Sequence, residues 1–185
     1  MSYFSDVELK GFGFKSLGND VRISTKASVY DCSKISIEDH VRIDDFCLLS
    51  GALKIGRFTH LAPYCMLAGG LKGICIGSYV TLAYGVKIFS ETDDYSGASA
   101  VGSLMPENLK KVRRKTTEIG SISLLGTNSI VLPGCHLGEG VALGAATVVT
   151  KELDPWWIYI GSPAKAYKPR EQKVKKLVRE IIEAK

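Results

Sequence analysis

A repeat of six residues governs what this chain can fold into. It is clearest from Ile119 to Asp154, where the sequence divides without a gap into IGSISL, LGTNSI, VLPGCH, LGEGVA, LGAATV and VTKELD. Ile119, Leu125, Val131, Leu137, Leu143 and Val149 open the blocks. Four residues after each opener stand Ser123, Ser129, Cys135, Val141, Thr147 and Leu153, mostly small or β-branched. A period of six is neither the 3.6 of a helix nor the 2 of a plain strand. It fits a short strand and a bend, with the opener and the residue four later both turned inward. Three blocks close a triangular coil, and successive coils stack as parallel strands about 4.8 Å apart. Gly126, Gly138 and Gly144, each just after an opener, suit bends that need unusual backbone angles or close approach.

The same phase runs through most of the chain. Leu17, Ile23 and Val29 open it, and two extra residues follow at Ile35–Ser36. Ile37, Ile43, Leu49, Ile55, Leu61 and Leu67 continue, and a three-residue slip around Leu71–Gly73 leads to Ile76, Leu82 and Ile88. Taken in threes, the openers predict four coils before a break and two after it: an all-β parallel helix of about six coils. Residues 1–16 lack the repeat but carry Val7, Leu9, Phe12 and Phe14. A solenoid end must be covered, so this segment reads as a cap. Residues 89–117 also lose the repeat, which predicts a long protruding loop of the kind that gathers on a binding face. Pro155 is expected to end the repeat, and Gly161–Lys165 to form a turn. Over 171–185, Val174, Leu177, Val178, Ile181 and Ile182 share one helical side, predicting an amphipathic α-helix. The expected organisation is therefore a solenoid domain over 1–170 and a terminal helix over 171–185.

Several function classes are disfavoured. No apolar run approaches the roughly 20 residues of a membrane span. The opening MSYFSDVELK has no secretory pattern, so a cytoplasmic location is expected. A net charge of +5 without interleaved aromatics does not suggest nucleic acid. Five cysteines lack ligand spacing, and Cys47, Cys65 and Cys135 fall at inward positions as small hydrophobes. His40, His60 and His136 do not converge within one subunit, so no metal is expected. By phase, His136 falls on the column that carries Asp93 one coil earlier. His60 closes its block, should point outward, and is available as a general base near neutral pH.

The repeat resembles that of the hexapeptide acyltransferases, and the resemblance implies their left-handed parallel β-helix. That hand opposes the ordinary right-handed crossover and is implied by the family alone. In galactoside and maltose acetyltransferases the long loop opens with a Gly-His pair whose histidine deprotonates the acceptor. Here the matching stretch reads Glu91-Thr92-Asp93-Asp94-Tyr95-Ser96-Gly97, without histidine. Its TDDYSG core is similar to sugar acetyltransferases of bacterial surface-polysaccharide pathways, O-antigen and capsule included. The resemblance implies His60 as catalytic base with Asp93 or Asp94 assisting, or a loop aspartate as the base in its place, and Asp94, Tyr95 and Tyr84 on the acceptor. It implies acetyl-CoA as co-substrate, held by Thr127, Ala145, Thr150, Lys151, Lys165 and Lys168. Lysine stands at the last two where the family often has arginine, and Leu124 stands where most members have tryptophan. The basic run Lys110, Lys111, Arg113, Arg114, Lys115 could meet phosphates of CoA or of a nucleotide-linked sugar. The implied activity is acyl transfer to a hydroxyl or amino group of a sugar or nucleotide-sugar, in a homotrimer with sites at subunit clefts. Outward Leu48, Met66 and Leu124 suit side-by-side packing. A γ-carbonic-anhydrase-like metal protein and a non-catalytic scaffold are the alternatives.

Overall fold

The structure is a computed structural model describing residues 2–183. Residues 184–185 of the expected helix, and the side chains of Ile181 and Ile182, lie outside the described residues.

The six-residue period builds a triangular prism of three parallel sheets. Face one stacks Ser16–Leu17, Ile35–Ile37, Leu53–Ile55, Ile74–Ile76, Thr117–Ile119 and His136–Leu137. Face two stacks Arg22–Ile23, Arg42–Ile43, His60–Leu61, Thr81–Leu82, Leu124–Leu125 and Ala142–Leu143. Face three stacks Ser28–Val29, Leu48–Ser50, Met66–Ala68, Lys87–Phe89, Ile130–Val131 and Val148–Val149. These make six complete coils, as the openers predict. A seventh begins: Leu153 bridges Leu137, and Trp157–Ile160 adds to face two in parallel with Ala142–Leu143. The pairing thus continues past Pro155, which bends the chain without ending the solenoid.

The ladders are in register, so each opener sits on the opener below. On face two Ile23, Ile43, Leu61, Leu82 and Leu125 are wholly buried. The residue before each opener points outward, giving a column of Arg22, Arg42, His60, Thr81, Leu124 and Ala142. Cys47, Cys65 and Cys135 are buried as expected. Because an opener contacts coils above and below, Leu82→Ala should lower unfolding free energy by about 2–5 kcal/mol. Urea denaturation checks this; a loss under about 0.5 kcal/mol would contradict the stacked core.

The glycines after openers serve close approach, not unusual angles. A Cβ on Gly126 would stand 2.6 Å from the Leu143 carbonyl oxygen of the next coil. The left-handed backbone at the corner joining faces two and three falls instead on Phe46, Tyr64, Gly85, Asn128 and Ala146. Buried hydroxyls satisfy corner carbonyls: Ser123 donates to Gly120 at 2.6 Å and Ser129 to Gly126 at 2.7 Å.

Both ends are covered. The first cap contains helix α1 (Asp6–Gly11), started by a capping box between Ser5 and Glu8, with Leu9 buried on the first coil. At the other end, Trp157–Ile160 pairs antiparallel with Lys165–Pro169. Arg170 then donates through Nη1 to the carbonyls of Ile122 and Gly140, at 2.8 and 2.9 Å. Helix α2 (Lys173–Glu183) follows, two residues later than expected. The loop after face three is held at its stem by an antiparallel ribbon, Glu91–Thr92 against Arg113–Arg114.

Candidate active site

The candidate residues form two groups on opposite edges of face three. The first group runs up the corner between faces two and three. Backbone bonds from Gly85 to Pro63, Asn128 to Tyr84 and Ala146 to Thr127 stack Tyr84, Thr127 and Ala145 in successive coils. All three are exposed. Among the described residues, the N–H groups of Thr127 and Ala145 find no acceptor. Each therefore offers a donor along this corner. Above them the turn after Ile160 docks on Val148, through Val148 N–H to Gly161 and Ala164 N–H to Val148. This brings exposed Lys165 to the top of the corner, while Lys168 lies further along the edge strand, opposite Ile158.

His60 belongs to this side. It stands on face two with its side chain 37% exposed, and its Nε2 lies 2.8 Å from Asp44 Oδ2. Asp44 is only 2% exposed. It also accepts from Arg42 Nε at 2.7 Å and from the Tyr3 hydroxyl at 3.2 Å. Burial would push the Asp44 carboxyl up, but the hydrogen bonds and charges of Arg42 and His60 outweigh it and hold the group below its ordinary value. An ionised Asp44 accepts a hydrogen bond from His60 Nε2–H, and that tautomer leaves Nδ1 as an acceptor. A base oriented by a buried carboxylate is the arrangement general-base chemistry needs. Sequence reading missed Asp44.

The lowered Asp44 value fixes a sign. Its contribution is complete above the unfolded aspartate value of about 3.9 and is lost as pH falls through the lower folded value. Acid unfolding should therefore steepen below about pH 4, and Asp44→Asn should flatten that limb. Thermal melts across pH 2–6 check this; identical limbs in both proteins would contradict it.

The second group lies where faces three and one meet. Asp93 is exposed, and its Oδ2 accepts from Gly102 N–H at 3.2 Å. Asp94 accepts from Ser96 N–H and the Ser99 hydroxyl, each at 2.9 Å. Those bonds, the Ser96 N–H first, hold its carboxyl below the ordinary range. Tyr95 is almost fully exposed. Thr150 and Lys151 follow face three at the same corner, also exposed. Among the described residues, no hydrogen bond or ion pair links this group to His60, Tyr84, Thr127 or Ala145. One subunit therefore does not bring His60 and Asp93 together.

The other histidines separate as expected. His40 pairs with Asp20 at a corner and His136 with Glu118 on face one, both at 3.0 Å. The His136 column carries Cys75 and Glu118 in the coils below, not Asp93, which leaves the solenoid with the loop.

No family model matches the chain. It is 38% identical over 180 residues to the dTDP-4-amino-4,6-dideoxy-D-glucose acyltransferase of Escherichia coli, covering 96% of this chain and 93% of that protein. The N-acyltransferase AntD from Bacillus cereus, solved with dTDP and 3-hydroxybutyryl-CoA, superposes with a TM-score of 0.97 at 39% identity, over 99% of this chain and 97% of that one. A maltose O-acetyltransferase from Clostridium difficile, at 22% identity and a TM-score of 0.57 over 90% of this chain and 75% of that one, shares the fold. With identity sustained over almost its full length, the chain belongs to the hexapeptide-repeat, acyl-CoA-dependent acyltransferases, in the family of the dTDP-4-amino-4,6-dideoxy-D-glucose acyltransferase.

Proposed function

We propose that the protein transfers an acyl group, acetyl first among candidates, from acyl-CoA to the amino group of a dTDP-linked 4-amino-4,6-dideoxy sugar. The observation that carries this is the full-length match to AntD, which has been solved with dTDP-4-amino-4,6-dideoxyglucose and coenzyme A together. The donor lies along the corner of Thr127 and Ala145, whose unpaired N–H groups suit an amide-containing arm or a developing oxyanion. Lys165 and Lys168 of the same chain, and Thr150 and Lys151 from the opposite edge of a neighbouring subunit, reach its phosphates and adenosine end. The acceptor is held by Tyr84, Asp93, Asp94 and Tyr95. Its amine attacks the thioester carbonyl as His60 Nδ1 takes the proton. The C–N bond forms, the C–S bond breaks, and the departing CoA sulfur receives the proton.

Such a site needs two subunits, because His60 and Asp93 sit on opposite edges of one chain. Corner-to-corner contact of this kind is heterologous and closes into a ring, which supports the homotrimer. Outward Leu48 and Met66 below Lys87, and Ile130 and Val148 above it, give face three two apolar patches for such packing. A cytoplasmic location and a step in surface-polysaccharide assembly complete the reading.

The test supplies acetyl-CoA with dTDP-4-amino-4,6-dideoxyglucose or with its 4-hydroxy counterpart, and follows thiol release. Turnover of the amine at least about 100-fold faster is expected, because a neutral amine is the stronger nucleophile toward a thioester and a hydroxyl brings one donor where the amine brings two. Equal rates, or transfer to the hydroxyl alone, would defeat the proposal.

A further inference from the structure

The stem of the loop separates its charges onto two sides. Residues opposite one another across an antiparallel pair share a side, and neighbours alternate. Glu91 stands opposite Arg114, and they form an ion pair at 3.4 Å. Glu107 pairs with Lys110 at 2.5 Å and lies 3.9 Å from Arg114. On that side the basic run is neutralised by its own carboxylates. On the other side Thr92 stands opposite Arg113, with Lys111 two residues before that strand. Lys111 and Arg113 are exposed, and neither has an ion-pair partner among the described residues.

These two cations line one cavity of about 440 Å³ with Asp93, Asp94 and Tyr95. Asp93 and Asp94 are fixed by the bonds to Gly102, Ser96 and Ser99 given above. Lys111 is near enough for its charge to act on Asp94, without bonding to it. The cavity thus presents two rigid carboxylates beside two unsatisfied cations. A ligand that matches it carries an amine at one end and a diphosphate at the other. Simple sugars and amines offer only one half of that pattern.

We propose that Lys111 and Arg113 bind the diphosphate of the nucleotide-linked acceptor, placing its sugar amine against Asp93 and Asp94. The assignment rests on the acceptor reading above and adds residues that make the nucleotide a requirement. Arg113 supplies a planar fork for two phosphate oxygens, and Lys111 a point charge. CoA also carries a diphosphate, so the assignment commits to the acceptor and the test separates the two.

Calorimetric titration of dTDP and of acetyl-CoA into the full-length protein and into Lys111→Met/Arg113→Met provides that test. Both side chains are exposed, so the variant should fold, and acetyl-CoA binding reports that it has. The dTDP Kd should rise at least about tenfold, given that bonds between charged partners contribute about 1.5–3 kcal/mol each. The acetyl-CoA Kd should stay within about twofold, and thymidine should bind both proteins equally weakly. In turnover, KM for the nucleotide-sugar should rise while kcat holds. A wild type that binds dTDP and a variant that binds it as well would overturn this assignment alone. So would a loss confined to acetyl-CoA. A wild type that binds acetyl-CoA but no dTDP would overturn the acceptor reading and this assignment with it.

Discussion

Replacing His60 by alanine lowers kcat by about two to four orders of magnitude, the range general-base catalysis contributes, and leaves acetyl-CoA binding nearly unchanged. The fold should survive, because His60 is partly exposed and Asp44 keeps two other partners, Arg42 and Tyr3. The donor corner is formed by other residues in higher coils, so Kd for acetyl-CoA should not move. Asp44→Asn should give a smaller loss. It preserves shape but removes the carboxylate that accepts from Nε2–H, so the ring is no longer held in the tautomer with Nδ1 free. Steady-state rates at saturating concentrations of both substrates check the pair. A kcat for His60→Ala within about threefold of wild type would remove His60 as the base.

The architecture was legible because it is written once per coil. An opener that repeats every six residues must stack on itself, and Ile43, Leu61, Leu82 and Leu125 do so without exposure. The same phase turned Cys47 and Cys65 inward and His60 outward. The loop was legible from the loss of phase, and its acidic head from composition. Asp44 was not. Its partner His60 belongs to the next coil and to a different block position: Asp44 follows its opener, whereas His60 precedes its own. Writing consecutive coils beneath one another shows Asp44 beside Ala62, with His60 two places before it, so the diagonal pairing can be found only once the stacking is known. The glycine positions were legible, and of the two causes the sequence allowed, close approach is the one that holds. Unusual angles fell on Asn128 and Ala146, while Gly126 yields space to the next coil. The seventh coil was hidden because Pro155 looks like an end when only the chain direction is read.

Phase also assigns residues to corners, and there the two halves of the site part company. His60 on face two and Thr127 at its corner with face three lie to one side, Asp93 to the other, so on the proposed reading an intact site takes each half from a different chain. This gives a second large expected effect. His60→Ala and Asp93→Asn proteins, each nearly inactive alone, should recover activity when co-assembled. In the proposed ring of three, each site would take His60 from one chain and Asp93 from the next. With equal amounts mixed at random, a site is intact when a chain with good Asp93 adjoins one with good His60, which holds for about a quarter of sites. Activity should therefore rise from the background of either variant to about 25% of wild type. The double variant His60→Ala/Asp93→Asn mixed with wild type supplies the control. It also leaves about a quarter of sites intact, but dilutes wild-type activity instead of creating it. If one chain supplied both residues to one site, no mixture of the two single variants could contain an intact site. Activity that stays at background after refolding the mixed chains, with sedimentation confirming mixed oligomers, would place the whole site within one subunit. Recovery near a quarter would assign the proton acceptor and the acidic loop to neighbouring chains.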